Sequence, residues 1–207
     1  MDPKAREELL DFYNSRLERF GDRPEALSWS PQGQLRRFHT LAEIAPDLNG
    51  ASVLDYGCGT GDFYGFLKGR GFDVRYTGVD VNERFIELAR RKHPECAFQV
   101  MDAPDDRLEG RFDYAVICGV FNLNVPGVAK DMEEALVTLF RRCDKGMAVN
   151  CISTHATDMD PRWHYTSPDE IVRFTLERLS PYFALRHDRI PEDFTLYVYA
   201  GLNPVEP

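Results

Sequence analysis

The chain has 207 residues, of which 43% are hydrophobic and 29% charged, and its formal net charge is −9. These values are typical of one globular domain with a sizeable core, and no apolar run reaches the roughly 20 residues of a membrane span. Because nucleic-acid binding depends on Lys and Arg neutralising phosphates, the acidic balance argues against a nucleic-acid partner. The charged start of the chain differs from a signal peptide, so we expect a cytoplasmic protein with no membrane partner.

The first 50 residues predict two helices. Apolar residues recur there at helical spacing in two groups, which are Leu9, Leu10, Tyr13, Leu17 and Phe20, and then Leu35, Phe38, Leu41 and Ile44. A loop that contains Trp29 separates the two groups. We expect residues 1–50 to form an N-terminal helical lid on an α/β core of residues 51–207, all within a single domain.

The segment from Val53 to Gly61 reads VLDYGCGTG, which is an apolar run, an acid and then three alternating glycines. It predicts a strand, a tight turn and a helix start, where glycines allow positive φ and a close approach between backbone and ligand. The turn is therefore expected to hold a nucleotide-like cofactor. Asp62 stands where a dinucleotide fingerprint has its third glycine, and an acid there would repel a pyrophosphate, which favours a cofactor without phosphates.

Strands and helices alternate along the rest of the chain. The predicted helices cover 62–69, 82–93 and 128–143, and the predicted strands cover 73–79, 97–101, 113–118 and 146–152. A capping box at 167–170 predicts a further helix that ends near Leu179. The extended runs 182–189 and 194–200 are joined by too few residues for a parallel crossover, so they are expected to pair antiparallel. This pattern predicts an α/β fold with a doubly wound, mostly parallel sheet.

Four segments resemble, in order and spacing, the motifs of class I S-adenosylmethionine-dependent methyltransferases of the small-molecule type. They are residues 53–61, 76–80, 98–102 and 112–119, so the resemblance covers roughly residues 51–122. It implies a Rossmann-like sheet of seven strands with a C-terminal antiparallel hairpin. It also implies S-adenosylmethionine as the cofactor and methyl transfer to a small-molecule acceptor by in-line displacement.

The resemblance also implies which residues hold the cofactor. Asp80 is expected to bind the ribose hydroxyls, Asp102 to lie near the adenine amino group, and Asp55 to orient the turn and face the cofactor's ammonium group. Arg37 in the lid is a candidate for a bidentate grip on the cofactor's carboxylate, and the alternative is a solvated helix residue. The other cofactor-binding candidates are Gly57, Cys58, Gly59, Gly61, Val81, Ala103 and Cys118.

Candidates for the acceptor side lie in the lid and after the fourth and fifth core strands. The substrate-binding candidates are Trp29, Phe121, Asn122, Asn124, Trp163 and His164, and packing or loop structure is the alternative for each. If the acceptor must lose a proton, His155 and Tyr13 are the candidate catalytic bases. Either residue could instead be structural.

The scattered cysteines and histidines have no convincing metal-ligand spacing, so we predict no metal. Family members that methylate nucleic-acid bases commonly carry Asn- or Asp-Pro-Pro-aromatic after the fourth strand, whereas this chain has Gly-Val-Phe-Asn at 119–122. Two other functions stay open, a protein-directed methyltransferase and a non-catalytic S-adenosylmethionine-binding protein. The accepting atom, whether oxygen, nitrogen, sulfur or carbon, is also open.

Overall fold

The computed structural model describes residues 1–103 and 108–202. Six α-helices and seven β-strands lie within these ranges. The helices are α1 (Pro3–Phe20), α2 (Pro31–Ala42), α3 (Asp62–Gly69), α4 (Glu83–Lys92), α5 (Val128–Phe140) and α6 (Pro168–Arg178). The strands are β1 (Ser52–Tyr56), β2 (Arg75–Asp80), β3 (Ala97–Val100), β4 (Phe112–Cys118), β5 (Cys143–Ile152), β6 (Phe183–Ile190) and β7 (Asp193–Tyr199). A short 3₁₀ helix at Pro24–Leu27 lies between α1 and α2.

All the strands of the described ranges belong to one sheet, in the order β3-β2-β1-β4-β5-β7-β6. Strands β1 to β5 run parallel, whereas β7 lies antiparallel to both β5 and β6. The strand order reverses between β1 and β4, and ligands of open α/β sheets bind outside the carboxyl ends of the strands at such a point. The structure confirms the predicted fold class and its C-terminal antiparallel pair.

The two faces of the sheet carry separate apolar layers. Successive side chains of a strand point to opposite faces, so Leu54 packs with residues of α5 and α6 while Val53 packs with residues of α2, α3 and α4. Leu41 of α2 is fully buried in the second layer. Helix α2, which was expected to belong to the lid, is therefore part of the sheet's own covering.

The two predicted helix starts at Asn82 and Ser167 are confirmed, since each side chain accepts hydrogen bonds from the first turn that follows it. The largest boundary errors lie between α5 and β5. Helix α5 ends at Phe140 and strand β5 begins at Cys143, whereas the helix was expected to extend to Cys143 and the strand to begin at Gly146. Cys143 pairs with Phe112 of β4, so pairing within the sheet ends the helix early.

No helix in the described residues is long and apolar enough to span a membrane. The expected single domain extends to residue 207, and residues 203–207 lie outside the described ranges.

A substitution at Gly78 in β2 tests how closely Phe98 and Cys58 pack against this strand. A Cβ at this position would lie 2.7 Å from ring carbons of Phe98 and 2.8 Å from Sγ of Cys58, so these side chains would have to move. We expect Gly78→Ala to lower the free energy of unfolding by about 1–3 kcal/mol in urea denaturation. Gly69→Ala is the control, because a Cβ at the end of α3 meets no atom within 4 Å. Equal stability of the two variants would contradict this packing.

Candidate active site

The turn between β1 and α3 folds around the end of β2. Its glycines all have positive φ, 76° at Gly57, 54° at Gly59 and 80° at Gly61. The Gly57 N–H donates to the Val79 carbonyl over 2.7 Å. A Cβ at Gly57 would lie 2.3 Å from a methyl carbon of Val120, so the position requires glycine for space as well as for its backbone conformation.

The Asp80 carboxylate connects this turn to the next helix. One oxygen accepts from the Gly59 N–H at 2.9 Å, and the other accepts from the Asn82 N–H at 2.8 Å. Burial raises the pKa of Asp80 to about 6, and these hydrogen bonds oppose the rise. Since the Asn82 side chain caps α4, Asp80 is not needed as its cap. Each carboxylate oxygen still has acceptor capacity for a ligand.

A cleft of about 890 Å³, part of it open to solvent, runs from the glycine turn beneath α1. We call it the first cleft. Of the predicted cofactor residues, Gly57, Asp80, Val81, Asp102 and Cys118 line it. Most of its other walls are apolar or aromatic, and no Lys or Arg side chain is among the described residues that line it.

Asp102 has an unsatisfied acceptor in the first cleft. Its Oδ1 is buried and has no hydrogen-bond partner among the described residues, while its Oδ2 lies 3.4 Å from Nε of Arg6 in α1. A buried polar atom without a partner is costly unless a ligand or water satisfies it. A donor from a ligand in the cleft would satisfy this oxygen.

A second cleft of about 750 Å³ adjoins the first. The two clefts share Tyr13 of α1, Leu27 and Trp29 of the following segment, and Gly119 after β4. Trp29 packs so closely on Gly119 that a Cβ at Gly119 would lie 2.9 Å from its ring. The second cleft is more polar, and its charged lining residues are Arg37, Asp158, Glu192 and Asp193.

Arg37 is held by a partner that the sequence analysis missed. Its Nε and Nη2 both lie 2.6 Å from Oδ2 of Asp193, the first residue of β7, and the Arg37 guanidinium carbon lies 5.4 Å from the centre of the Trp29 ring. Burial raises the pKa of Asp193, and the Arg37 charge opposes that rise. Two of its five N–H donors thus bind Asp193, and the bidentate grip of Arg37 on a cofactor carboxylate stays a prediction.

Tyr13 lies where the two clefts meet, but its chemistry differs from the expectation. Burial, together with the nearby Asp80 charge, raises the pKa of Tyr13 to about 12. At neutral pH the hydroxyl is protonated, so it can donate a hydrogen bond and is a poor base. The raised pKa disfavours Tyr13 as a catalytic base, which stays a prediction, and Tyr13 does line both clefts.

The structure separates the predicted acceptor-side residues into two groups. Phe121 lines the first cleft, Asn122 and Trp163 line the second, and Trp29 lines both. The other group comprises His155, Asn124 and His164, none of which is among the described residues that line either cleft.

Each residue of the second group has a structural role or is exposed. His155 is exposed and is not among the described residues that line either cleft, and its role as a catalytic base stays a prediction. Nδ1 of His164 lies 3.1 Å from the Phe121 carbonyl, and the Asn124 amide donates to the Pro161 carbonyl over 3.1 Å. These polar groups join the loop after β4 to the loop before α6, and nothing in the sequence signalled that pairing.

Several predicted cofactor residues are not among the described residues that line either cleft. Asp55 is buried and accepts a hydrogen bond from the Tyr76 hydroxyl, so it does not face a ligand's ammonium group. Cys58, Gly61 and Ala103 are not among the described residues that line either cleft, and Gly59 acts through its bond to Asp80.

The charge of Asp62 is balanced inside the protein. Its Oδ1 lies 2.5 Å from Nζ of Lys92, and its Oδ2 accepts from the Gln34 amide over 3.1 Å. The repulsion of a pyrophosphate that Asp62 was expected to exert is therefore weakened. The absence of Lys and Arg side chains from the described lining of the first cleft is a better reason for a cofactor without phosphates.

The chain matches the methyltransferase domain family over residues 53–161, which is more than half of its length. The Mycobacterium tuberculosis protein Rv1506c, which is named as a methyltransferase, is 28% identical to this chain over 153 residues. The alignment covers 71% of this chain and 92% of that protein. The magnesium-protoporphyrin O-methyltransferase of Rhodobacter capsulatus is 38% identical over 81 residues, 37% of this chain and 35% of that enzyme.

The fold is also similar to that of a solved structure. The crystal structure of magnesium protoporphyrin IX methyltransferase from Synechocystis PCC 6803, with bound S-adenosylmethionine, superposes with a TM-score of 0.70 and 17% identity over 97% of this chain and 98% of that one. The chain belongs to the methyltransferase domain family and is a class I S-adenosylmethionine-dependent methyltransferase. S-adenosylmethionine is therefore its cofactor.

The buried Asp55 predicts a pH dependence of stability. Burial raises its pKa in the folded protein to about 7, well above that of an exposed carboxyl. A raised pKa means that Asp55 stabilises the folded state at low pH and that this contribution is lost as pH rises through about 7. Three pKa units correspond to about 4 kcal/mol at most.

We expect Asp55→Asn to remove this loss, so that the free energy of unfolding falls less between pH 5 and pH 8 than in the original protein. Denaturant unfolding at both pH values measures the difference. Asp73→Asn, at an exposed residue before β2, removes the same charge and serves as the control. Parallel pH profiles for the original protein and Asp55→Asn would contradict the prediction.

Proposed function

We propose that the first cleft holds S-adenosylmethionine and that the second holds a small-molecule acceptor, with transfer taking place where the clefts join. When bound, the cofactor supplies an electrophilic methyl carbon on a sulfonium, which a nucleophile displaces in line. The observation that supports this arrangement most directly is the set of lining residues that the clefts share, Tyr13, Leu27, Trp29 and Gly119. These residues form a boundary across which a donor and an acceptor can meet.

The residues of the first cleft fit the cofactor. Asp80 offers carboxylate oxygens at the cleft wall for the ribose hydroxyls, and such charge-assisted bonds are the stronger kind. The unsatisfied Asp102 Oδ1 is a suitable acceptor for the adenine amino group. Gly57 lines the cleft with backbone alone, since Val120 fills the space that its side chain would need, and Val81 provides an apolar contact for the base.

We infer that residues 1–30 are the covering segment of one catalytic domain. Tyr13 and Trp29 from this segment line both clefts, and Nε of Arg6 lies 3.4 Å from Oδ2 of Asp102. At the far end of the segment, Asp22 accepts from Lys92 of α4 over 3.1 Å. The covering segment excludes water from the reacting atoms and holds donor and acceptor together, and such proximity lowers barriers by about 7–11 kcal/mol.

The names of several relatives support a small-molecule acceptor. They include the Rhodobacter magnesium-protoporphyrin enzyme, a demethylmenaquinone methyltransferase of Lactococcus lactis and a ubiquinone biosynthesis O-methyltransferase of Alkalilimnicola ehrlichii. The alignments cover 35%, 59% and 45% of those three enzymes. In this chain, Trp29 and Trp163 narrow the second cleft, which suits a compact acceptor better than an extended polypeptide.

The assignment of Asp80 to the ribose hydroxyls predicts that removing its carboxylate weakens cofactor binding. We expect Asp80→Ala to weaken S-adenosylmethionine binding at least about tenfold in calorimetry, because hydrogen bonds to a charged group contribute about 1.5–3 kcal/mol each. Asp73→Ala, before the opposite end of the same strand, should keep the original affinity. Full affinity in Asp80→Ala would rule out the ribose assignment.

The position of Tyr13 between the clefts predicts that a variant at this residue changes turnover but not cofactor binding. We expect formation of S-adenosylhomocysteine with members of a metabolite panel, and Tyr13→Phe to lower kcat about tenfold or more through loss of a donor that orients the acceptor. Cofactor affinity should change little. Tyr182→Phe is the control, since Tyr182 is exposed. Cofactor binding with no product from any acceptor class would favour a non-catalytic binding protein.

A further inference from the structure

The charges around the second cleft do not balance. Its lining carries three carboxylates, Asp158, Glu192 and Asp193, and one guanidinium, Arg37, which leaves two net negative charges when all are ionised. Arg37 is paired with Asp193. Among the described residues, no cation lies within ion-pair distance of Asp158 or Glu192, and both are exposed at the cleft.

The walls of the second cleft are aromatic as well as acidic. Tyr13, Trp29, Trp163 and Tyr165 all line it. Trp29 already has the Arg37 guanidinium 5.4 Å from its ring centre, and Trp163 has that of Arg162 at 5.9 Å. Both rings therefore accept cations, and aromatic faces attract ammonium and sulfonium groups in the same way.

This environment disfavours anionic acceptors. Lys and Arg are common partners of carboxylates and phosphates, and the Nε and Nη2 donors of Arg37 both already bind Asp193. Arg162 lies near Trp163, but its charge is balanced by Asp160, at 2.5 Å. The acceptors that fit best are those that are positively charged or become so on methylation.

We propose that the second cleft selects an amine and that this chain methylates nitrogen. This inference rests on the proposed function, because it assumes that the second cleft is the acceptor site. The carboxylates of Asp158 and Glu192 attract the protonated amine, and the aromatic walls surround its apolar part. The four aromatic residues and the two unpaired carboxylates together determine the acceptor class.

The reaction on nitrogen balances without a base from the protein. A protonated amine first releases its proton to water at the exposed mouth of the cleft. The nitrogen lone pair then forms a bond to the methyl carbon while the carbon–sulfur bond breaks, and that bonding pair stays on sulfur as the neutral thioether of S-adenosylhomocysteine. The positive charge thus passes from sulfur to nitrogen and stays beside the same carboxylates. An ammonium product that still carries N–H can return its proton to water.

The binding test uses probes that share one shape and differ in charge. Choline, its uncharged isostere dimethylbutanol and the matching carboxylate dimethylbutanoate are titrated by calorimetry into the protein saturated with S-adenosylhomocysteine. We expect choline to bind at least about fivefold more tightly than dimethylbutanol, from cation–aromatic and ionic attraction, and dimethylbutanoate to bind most weakly. Choline binding no more tightly than dimethylbutanol would overturn the proposal.

Variants of the two carboxylates test whether the preference for choline arises in the second cleft. Glu192→Gln and Asp158→Asn should each weaken choline binding about two- to fivefold and leave dimethylbutanol binding unchanged, as expected for exposed ion pairs. Glu177→Gln, on the exposed face of α6, makes the same charge change outside both clefts and should have no effect. Equal losses in all three variants, or weaker S-adenosylhomocysteine binding with choline binding unchanged, would overturn the proposal.

A turnover assay with different classes of acceptor distinguishes failure of the amine assignment from failure of the proposed function. Matched primary amines, alcohols and carboxylates are assayed for S-adenosylhomocysteine formation, with the methylated product identified by mass spectrometry. Methylated amines support the proposal. Turnover of alcohols or carboxylates without amines overturns the amine assignment and leaves the methyltransferase function in place. Failure of Asp80-dependent cofactor binding contradicts the proposed function itself.

Discussion

The active site depends on one carboxylate that binds two backbone N–H groups. Asp80, at the carboxyl end of β2, accepts from Gly59 in the glycine turn and from Asn82 before α4. The register of the sheet makes this possible, because Tyr56 at the end of β1 pairs with Val79 and places the turn beside the end of β2. Parallel pairing, the turn and the first cleft are thus fixed together. A ligand at Asp80 meets a carboxylate that is already held in position, and this reduces the ordering cost of binding.

Most of the fold could be predicted because its signals are local. Glycines mark the turn after β1, Asn82 and Ser167 mark helix starts, and apolar runs mark the buried strands. The boundary between α5 and β5 was wrong for the opposite reason. The residues up to Cys143 follow a helical pattern that pairing with Phe112 overrides, and nothing near them in the sequence reports that partner.

For the candidate site too, the features with local sequence signals could be predicted and those that depend on distant contacts could not. Residues at strand ends, such as Gly57, Asp80 and Cys118, line the first cleft as predicted, because the ends of parallel strands meet at one edge. The partner of Arg37 lies 156 residues away, at Asp193. No local pattern could reveal that pair. Residue type alone also could not place His155, which is exposed, since the direction of a loop side chain depends on contacts that the sequence does not display.

In the proposed arrangement, the residues that hold the methyl donor lie in the first cleft, and those that select the acceptor lie in the second. The family match covers residues 53–161, which include the glycine turn, Asp80 and Gly119. Tyr13, Trp29 and Glu192 lie outside that match, yet all three line the second cleft. Methyl transfer needs little from the protein beyond alignment, so the residues that hold the donor can be common to many enzymes. In the proposed arrangement, the choice of acceptor depends on the covering segment and on the two carboxylates of Asp158 and Glu192, which carry the unbalanced charge of the cleft.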